Sequence, residues 1–306
     1  MCGIVGFCEA DPARRVDEKL LARATRALAH RGPDGEGFLV RGPVGLGHRR
    51  LSIIDLAGGG QPLFHPNGRL GVVFNGEIYD YREIRADLLA AGCPLRTVSD
   101  TEVIVHAYER EGPACLQRFT GMFAFAVWDG RDGSVFVARD RLGKKPLFYH
   151  ERAGRLAFAS ELKALLEDGS IAREIDPQAL EDYLAYSYVP GERSILRGIR
   201  KLPPGHWMRW RAGRLEVQPF WDVRVEEGPP AREEEWAARV EERLRRAVRL
   251  RLRADVPVGV FLSGGLDSSA VTALASQEHG GVVKTFSVGF KEAGHDERPF
   301  ARLTAA

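Results

Sequence analysis

Along the first two hundred residues, apolar positions cluster in short runs closed by turn residues. The runs at 70–74, 122–128, 135–138 and 156–159 have the length and bounding residues of buried strands. Stretches 82–91 and 101–111 instead space their apolar residues by three and four, which predicts amphipathic helices. Strands this frequent with helices between them predict an α+β domain, with sandwiched sheets covered by helices. The pattern then changes. Residues 223–235 are rich in Glu, Pro and Gly and hold few apolar anchors, as a linker would. Beyond them, 236–252 reads as a charged helix with Val240, Leu244, Ala247, Val248 and Leu252 as its apolar positions. A buried strand at 256–262, a Gly-rich turn, a helix at 268–277 and a second strand at 282–288 open a parallel α/β sheet. The expected division is a domain at 1–213, a linker at 214–235 and a second domain at 236–306. One strand–helix–strand unit cannot cover both faces of its own sheet, so the second domain is expected to be cut short.

Composition narrows the function classes. In 306 residues, 44 basic side chains nearly cancel 42 acidic ones, leaving a net charge of +2. No Lys/Arg block supports binding to nucleic acid or a membrane surface. No stretch approaches the roughly 20 apolar residues of a membrane span, and the N-terminus lacks the basic segment of a signal peptide. The four cysteines, Cys2, Cys8, Cys93 and Cys115, match neither a zinc pattern nor a disulfide framework. A reducing cytoplasm is the expected setting, with Cys8, Cys93 and Cys115 as small buried hydrophobes.

Cys2 is different because of its position. Removal of Met1 leaves a cysteine with a free α-amino group, whose unperturbed pKa of about 7.7 to 8.0 provides neutral amine near pH 7. Nucleophile and general base then reside on one residue. His30 and His48 could suggest a Cys/His pair, but an N-terminal cysteine needs no histidine base.

Six motifs follow in order: Cys2-Gly-Ile-Val-Gly6, His30-Arg-Gly-Pro-Asp-Gly35, His48-Arg-Arg-Leu-Ser-Ile-Ile-Asp55, Phe74-Asn-Gly-Glu-Ile-Tyr79, Ser99-Asp-Thr-Glu-Val103 and Arg139-Asp-Arg-Leu-Gly-Lys-Lys-Pro146. Together they closely resemble the glutaminase domain of glutamine-hydrolysing asparagine synthetases, and the resemblance runs from residue 2 to residue 302. It implies an N-terminal nucleophile sandwich with α/β/β/α layers. It also implies that Cys2 forms a γ-glutamyl thioester and that Asn75 and Gly76 form the oxyanion hole. Arg50 would bind the glutamine α-carboxylate, Ile54 would offer a backbone contact, and Glu77 and Asp100 would accept from the substrate, Asp100 at its α-ammonium. A glycine at 76 lets the backbone approach closely, and a guanidinium fork suits a carboxylate. Residues 31–35 carry strong turn chemistry and read as scaffold that shapes the pocket floor.

Leu262-Ser-Gly-Gly-Leu-Asp-Ser-Ser269 ends a strand, turns on small residues and starts a helix, as an anion cradle does. Without a lysine it is no Walker A loop. It resembles the pyrophosphate loop of ATP-pyrophosphatase enzymes. The resemblance implies that Ser263, Gly264, Gly265, Asp267, Ser268 and Ser269 surround ATP phosphates and that Asp267 helps hold Mg²⁺. Leu262 and Val288 would contact the nucleotide through backbone atoms.

The whole reaction implied is amidation of aspartate, activated by ATP as an acyl-adenylate, with ammonia from glutamine. Small molecules are the expected partners, and a homodimer is compatible with the reading. Two alternatives within the family stay open: another carboxylate acceptor, or glutaminase activity alone. Purine- or hexosamine-type amidotransferases share the N-terminal cysteine, but the Ser-Gly-Gly-Leu-Asp-Ser loop argues against them. A regulatory protein on an inactive glutaminase fold is opposed by the intact Cys2, Asn75 and Gly76.

Overall fold

A computed structural model describes residues 1–225, 228 and 232–306, and the chain divides into two compact units, Met1–Val223 and Arg224–Ala306. The first unit runs β1 (Gly3–Glu9), α1 (Glu18–Arg26), β2 (Gly35–Arg41), β3 (Val44–Arg50), β4 (Leu63–Phe64), β5 (Leu70–Ile78), α2 (Tyr81–Ala90), α3 (Asp100–Glu111), β6 (Gly121–Asp129), β7 (Ser134–Arg139), β8 (Phe148–Arg152), β9 (Arg155–Ala159), α4 (Leu162–Leu165), α5 (Pro177–Tyr186), β10 (Ile199–Lys201), β11 (His206–Arg211) and β12 (Arg214–Pro219). One six-stranded sheet has the order β10-β8-β9-β1-β3-β2, and the other the order β12-β11-β7-β6-β5-β4.

Alternation along the strands assigns each face. From β5, Leu70, Val72, Phe74 and Ile78 pack with Ile84, Leu88, Val103 and Tyr108 of α2 and α3. Val73 points the other way, joining Ile4, Leu46, Ala126, Val137 and Phe158 in a layer built from both sheets. The outer face of the first sheet, with Val5, Phe7 and Ala157, is covered by Leu20, Leu21 and Ala24 of α1 and Leu165 of α4. The layers are therefore α/β/β/α, as the sequence led us to expect. Central strands with both faces buried carry apolar runs without clean alternation, which is why 122–128 and 135–138 were legible as strands.

The stretch assigned to a linker differs from that expectation. β12 pairs along its length with β11, from His206↔Pro219 to Arg211↔Arg214, so residues 214–219 belong to the second sheet. β12 is an edge strand with mostly exposed side chains, and its polar composition hid it. Of the remaining linker, residues 226–227 and 229–231 lie outside the described residues.

The second unit holds α6 (Glu233–Arg251), β13 (Gly259–Phe261), α7 (Leu266–His279), β14 (Lys284–Phe286) and α8 (Arg298–Ala305). β13 and β14 pair in parallel, with Val260 opposite Thr285. Val248 of α6 packs with Leu274 and Ala275 of α7. The run at 256–262, expected as a buried strand, is an ordered strand over three residues only, and Phe261 is 81% exposed. Its two-stranded sheet has too few covering side chains to bury both faces. No helix among the described residues is long and apolar enough to cross a membrane.

Candidate functional site

Cys2 sits one residue before β1, which lies between β9 and β3 in the middle of the first sheet. Its position is held at both ends. Arg31 donates through Nε to the Cys2 carbonyl at 2.9 Å and through Nη1 to Glu161 at 2.8 Å. The Leu51 N–H donates to Sγ at 3.3 Å, and Sγ reaches the Leu51 carbonyl at 3.6 Å. Burial pushes the thiol pKa up, while the Leu51 N–H and the nearby chain-terminal ammonium oppose that rise. Met1 precedes Cys2 here, so the Cys2 nitrogen is an amide.

The thiol opens on a cavity of about 190 Å³ lined by residues of β5, α3 and loop 51–61. Asn75 has the strand parity of Val73, which turns its side chain toward the sheet that carries Cys2. The Asn75 amide is fully buried, yet neither Oδ1 nor Nδ2 meets a protein partner. An unpaired buried amide is costly, and this one lines the cavity. Gly76 follows, opposite Phe123 of β6. A Cβ there would lie 2.1 Å from the Met122 carbonyl oxygen and 2.7 Å from the Phe123 Cα, so only glycine keeps the two strands this close.

Arg50 closes β3, and its guanidinium is fixed by loop carbonyls. Nη1 donates to Leu56 O at 3.1 Å, and Nη2 to Asp55 O at 2.6 Å and Ile54 O at 3.4 Å. With five N–H donors on the fork, donors remain for a carboxylate. Asp100 begins α3, where Ser99 caps the helix through the Thr101 N–H. Asp100 accepts from the Ile78 N–H at 3.1 Å, and burial lifts its pKa to about 7, with Glu77 adding to the rise and backbone N–H groups opposing it. Glu77 lines the same cavity.

The structure thus brings Cys2, Arg50, Ile54, Asn75, Gly76, Glu77 and Asp100 together. It also places at or beside this cavity residues to which the motifs assigned no role in the site. Gln61 accepts the Phe74 N–H at 2.6 Å and donates to Thr101 at 3.2 Å, tying the loop to β5 and α3. Arg31 and Asp34 lie in a motif that read as scaffold. Arg31 holds Cys2, and Asp34 accepts the Ser52 N–H at 2.8 Å, anchoring the loop beside the thiol. Lys145, buried, also lines the cavity. The two histidines are engaged elsewhere. His48 bonds the Phe74 carbonyl at 3.0 Å and burial lowers its pKa to about 4, while His30 meets Glu161 at 3.0 Å.

In the second unit, the loop after β13 turns at Gly264, whose φ of +85° and close approach to Ala301 exclude a side chain. Ser263 and Ser268 hydroxyls meet at 2.9 Å, and Ser268 also donates to Gly265 O at 3.1 Å. α7 starts at Leu266 with no side-chain cap, so its first N–H groups face outward beside Asp267, which is exposed. Ser269 is bonded to Thr304 at 3.0 Å. The Leu262 N–H donates to Phe286 O at 2.9 Å, and Val288 lies two residues beyond β14, exposed. Among the described residues, no group of three or more His, Cys, Asp or Glu converges as a metal site.

Comparison with known proteins agrees with this architecture. Residues 1–221 match the model of the glutamine amidotransferase domain, and residues 239–306 match that of asparagine synthase. The chain is 38% identical over 310 residues to asparagine synthetase [glutamine-hydrolyzing] 1 of Bacillus subtilis, covering all of this chain and 48% of the relative. It is 38% identical over 331 residues to a putative asparagine synthetase [glutamine-hydrolyzing] of Mycobacterium tuberculosis, covering all of this chain and 50% of the relative. It is 36% identical over 336 residues to amidase chyE of Penicillium rubens, covering all of this chain and 49% of the relative. The chain spans about half the length of the curated relatives it matches. Among solved structures, a glutamine phosphoribosylpyrophosphate amidotransferase from B. subtilis superposes with a TM-score of 0.53 at 16% identity, covering 95% of this chain and 67% of that one. That likeness establishes a shared fold.

Proposed function

The chain belongs to the glutamine amidotransferase domain family, and from that membership we propose that it hydrolyses glutamine to glutamate and ammonia with Cys2 as nucleophile. The observation that carries the proposal is the shared cavity, lined by Cys2, by an Asn75 amide without a protein partner, and by Arg50 and Asp100. In this reading Met1 is removed, and the Cys2 α-amine takes the thiol proton as Sγ attacks the side-chain amide carbon of glutamine. The oxygen that gains negative charge receives hydrogen bonds from Asn75 Nδ2 and the Gly76 N–H. The α-ammonium returns its proton to the departing nitrogen, ammonia leaves, and a γ-glutamyl thioester remains. Water, activated by the same amine, attacks the thioester and releases glutamate. Arg50 holds the substrate α-carboxylate with a fork already oriented by the carbonyls of residues 54–56. Ile54 contributes its backbone, and Asp100 and Glu77 face the α-ammonium side.

The second unit is proposed to bind ATP at residues 263–269, with phosphate oxygens received by the α7 N-terminus and the serine hydroxyls. Leu262 and Val288 would meet the nucleotide through their backbones. Asp267 would share Mg²⁺ with the phosphates, since one carboxylate plus substrate oxygens suits that ion. In this reading aspartate's β-carboxylate attacks the α-phosphorus of ATP, pyrophosphate leaves and an acyl-adenylate forms, from which ammonia displaces AMP. A second reading, another carboxylate acceptor, is favoured by the similarity to amidase chyE, which nearly equals that to the synthetases. Incubation with glutamine, ATP and either aspartate or alternative carboxylates, with AMP as readout, separates the two. For the glutaminase itself, glutamate release should vanish in Cys2→Ala. A glutamine-like diazo-ketone should label Cys2 alone, as mapped by peptide mass. Labelling chiefly at another cysteine would overturn the assignment.

A further inference from the structure

The motif at 139–146 has no part in the chemistry above, yet its backbone is heavily restrained. Asp140 is buried, and its carboxylate accepts four backbone N–H groups: Leu142 at 3.2 Å and Lys144 at 2.9 Å on Oδ1, Phe123 at 3.1 Å and Lys145 at 3.0 Å on Oδ2. Arg139 donates to Lys145 O at 2.8 Å and Gly143 O at 2.7 Å. A surface turn needs no such clamp. Its product is one side chain: Lys145 is 3% exposed and lines the Cys2 cavity, with Nζ donating to the soft Met1 sulfur at 3.3 Å. Burying an ammonium is unfavourable, so a structure that fixes one beside a nucleophile calls for a use.

We propose that Lys145 is a positioning residue: its ammonium, delivered by the Arg139–Asp140 clamp, holds the Cys2 α-amine in its neutral, proton-accepting form. The inference rests on the Cys2 mechanism above. A fixed positive charge disfavours a second one nearby, so the neutral amine predominates to lower pH. The charged groups facing this end of the cavity are Arg31 and Lys145 on one side of the balance and Asp34, Glu77, Asp100 and Asp140 on the other. At the present terminal amine, that of Met1, Lys145 acts in the same direction as a smaller contribution. Burial lowers its pKa most, Arg31 and Lys145 lower it further, and the Cys2 thiolate and Asp34 oppose them. Burial likewise lowers the pKa of Lys145 itself, with Glu77 restoring part of it. Met1 removal brings the amine to Cys2 and takes away the sulfur that Nζ meets.

The test uses the full chain, with Met1 loss verified by intact mass, as wild type, Lys145→Met, Lys145→Gln and Lys145→Arg. The readout is kcat/KM for glutamine hydrolysis against pH, with Tm measured for each variant. Both charge-removing variants should move the acid limb up by about one pH unit, losing roughly tenfold below it and recovering near wild-type rates above it. Lys145→Arg should keep the wild-type limb. An equal loss at every pH with the limb unmoved, or an Arg variant that shifts as far as Met, would overturn the proposal. If Cys2→Ala retains hydrolysis, the nucleophile reading fails instead, whatever the limbs do.

Discussion

Replacing Asn75 by alanine should separate activity from stability in opposite directions. In the resting protein its amide is fully buried with neither polar atom paired to protein. It therefore carries a desolvation cost of about 1–3 kcal/mol that no protein group in the resting state offsets. The side chain lines an existing cavity, so its removal enlarges a space and leaves little new strain in the packed layers. Net stability should stay level or rise by up to about 2 kcal/mol, and for a unit of this size each kcal/mol moves Tm by roughly 2–4 °C. Catalysis loses one oxyanion donor, which costs about 2.7–4 kcal/mol, or 10²- to 10³-fold in kcat. The amide is held for the charged intermediate and not for bound glutamine, so KM should change little. Glutamate release at saturating glutamine and a thermal melt give both numbers from one preparation. A kcat within about threefold of wild type, or a Tm lowered by more than about 5 °C, would show that Asn75 is structural.

Three further outcomes are expected. The KM for glutamine should rise as pH falls through about 7, because protonated Asp100 no longer pairs with an ammonium; a flat KM between about pH 6 and 8 refutes this. The same raised pKa means Asp100 favours the fold fully below its ordinary 3.8 and loses that contribution as pH rises through about 7, so Asp100→Asn should gain stability over wild type at pH 8 and not at pH 3. Gly76→Ala should fail to fold or lose hydrolysis altogether, since its Cβ meets backbone at 2.1 Å; soluble protein with an unchanged melt contradicts the packing.

What was legible in the sequence was local. Residues 70–74 and 122–128 announce buried strands because both faces of their sheet are covered, and 101–111 announces a helix by its three- and four-residue apolar spacing, although Asp100 to Tyr108 are buried on every side. The cavity residues Arg50, Asn75 and Asp100 were found through motif resemblance and would not have been found by periodicity. β5 runs on through Asn75, Gly76 and Glu77, whose polar character conceals the strand. Arg31, Gln61 and Lys145 were missed as site residues because their partners lie 29, 13 and 144 positions away, a distance that no local pattern encodes. β12 escaped because an edge strand lacks the apolar run of a central one.

The place of β1 between β9 and β3 sets a timetable for the nascent chain. Cys2 lies at the start of a strand whose neighbour β9, Arg155–Ala159, is made some 150 residues later. β3, which pairs Gly3 with Arg49, is made within the first 50 residues, but at about 5–20 residues per second the β9 side of β1 stays open for roughly 8 to 30 s of synthesis. An aminopeptidase therefore meets a loose end during translation and a partly enclosed one afterwards, with the Met1 sulfur resting on Lys145. Expression conditions that outpace processing would accumulate folded protein whose first residue stays in the cavity. An affinity tag fused ahead of Met1 would produce the same state by design, whereas one fused after Ala306 leaves the timetable untouched.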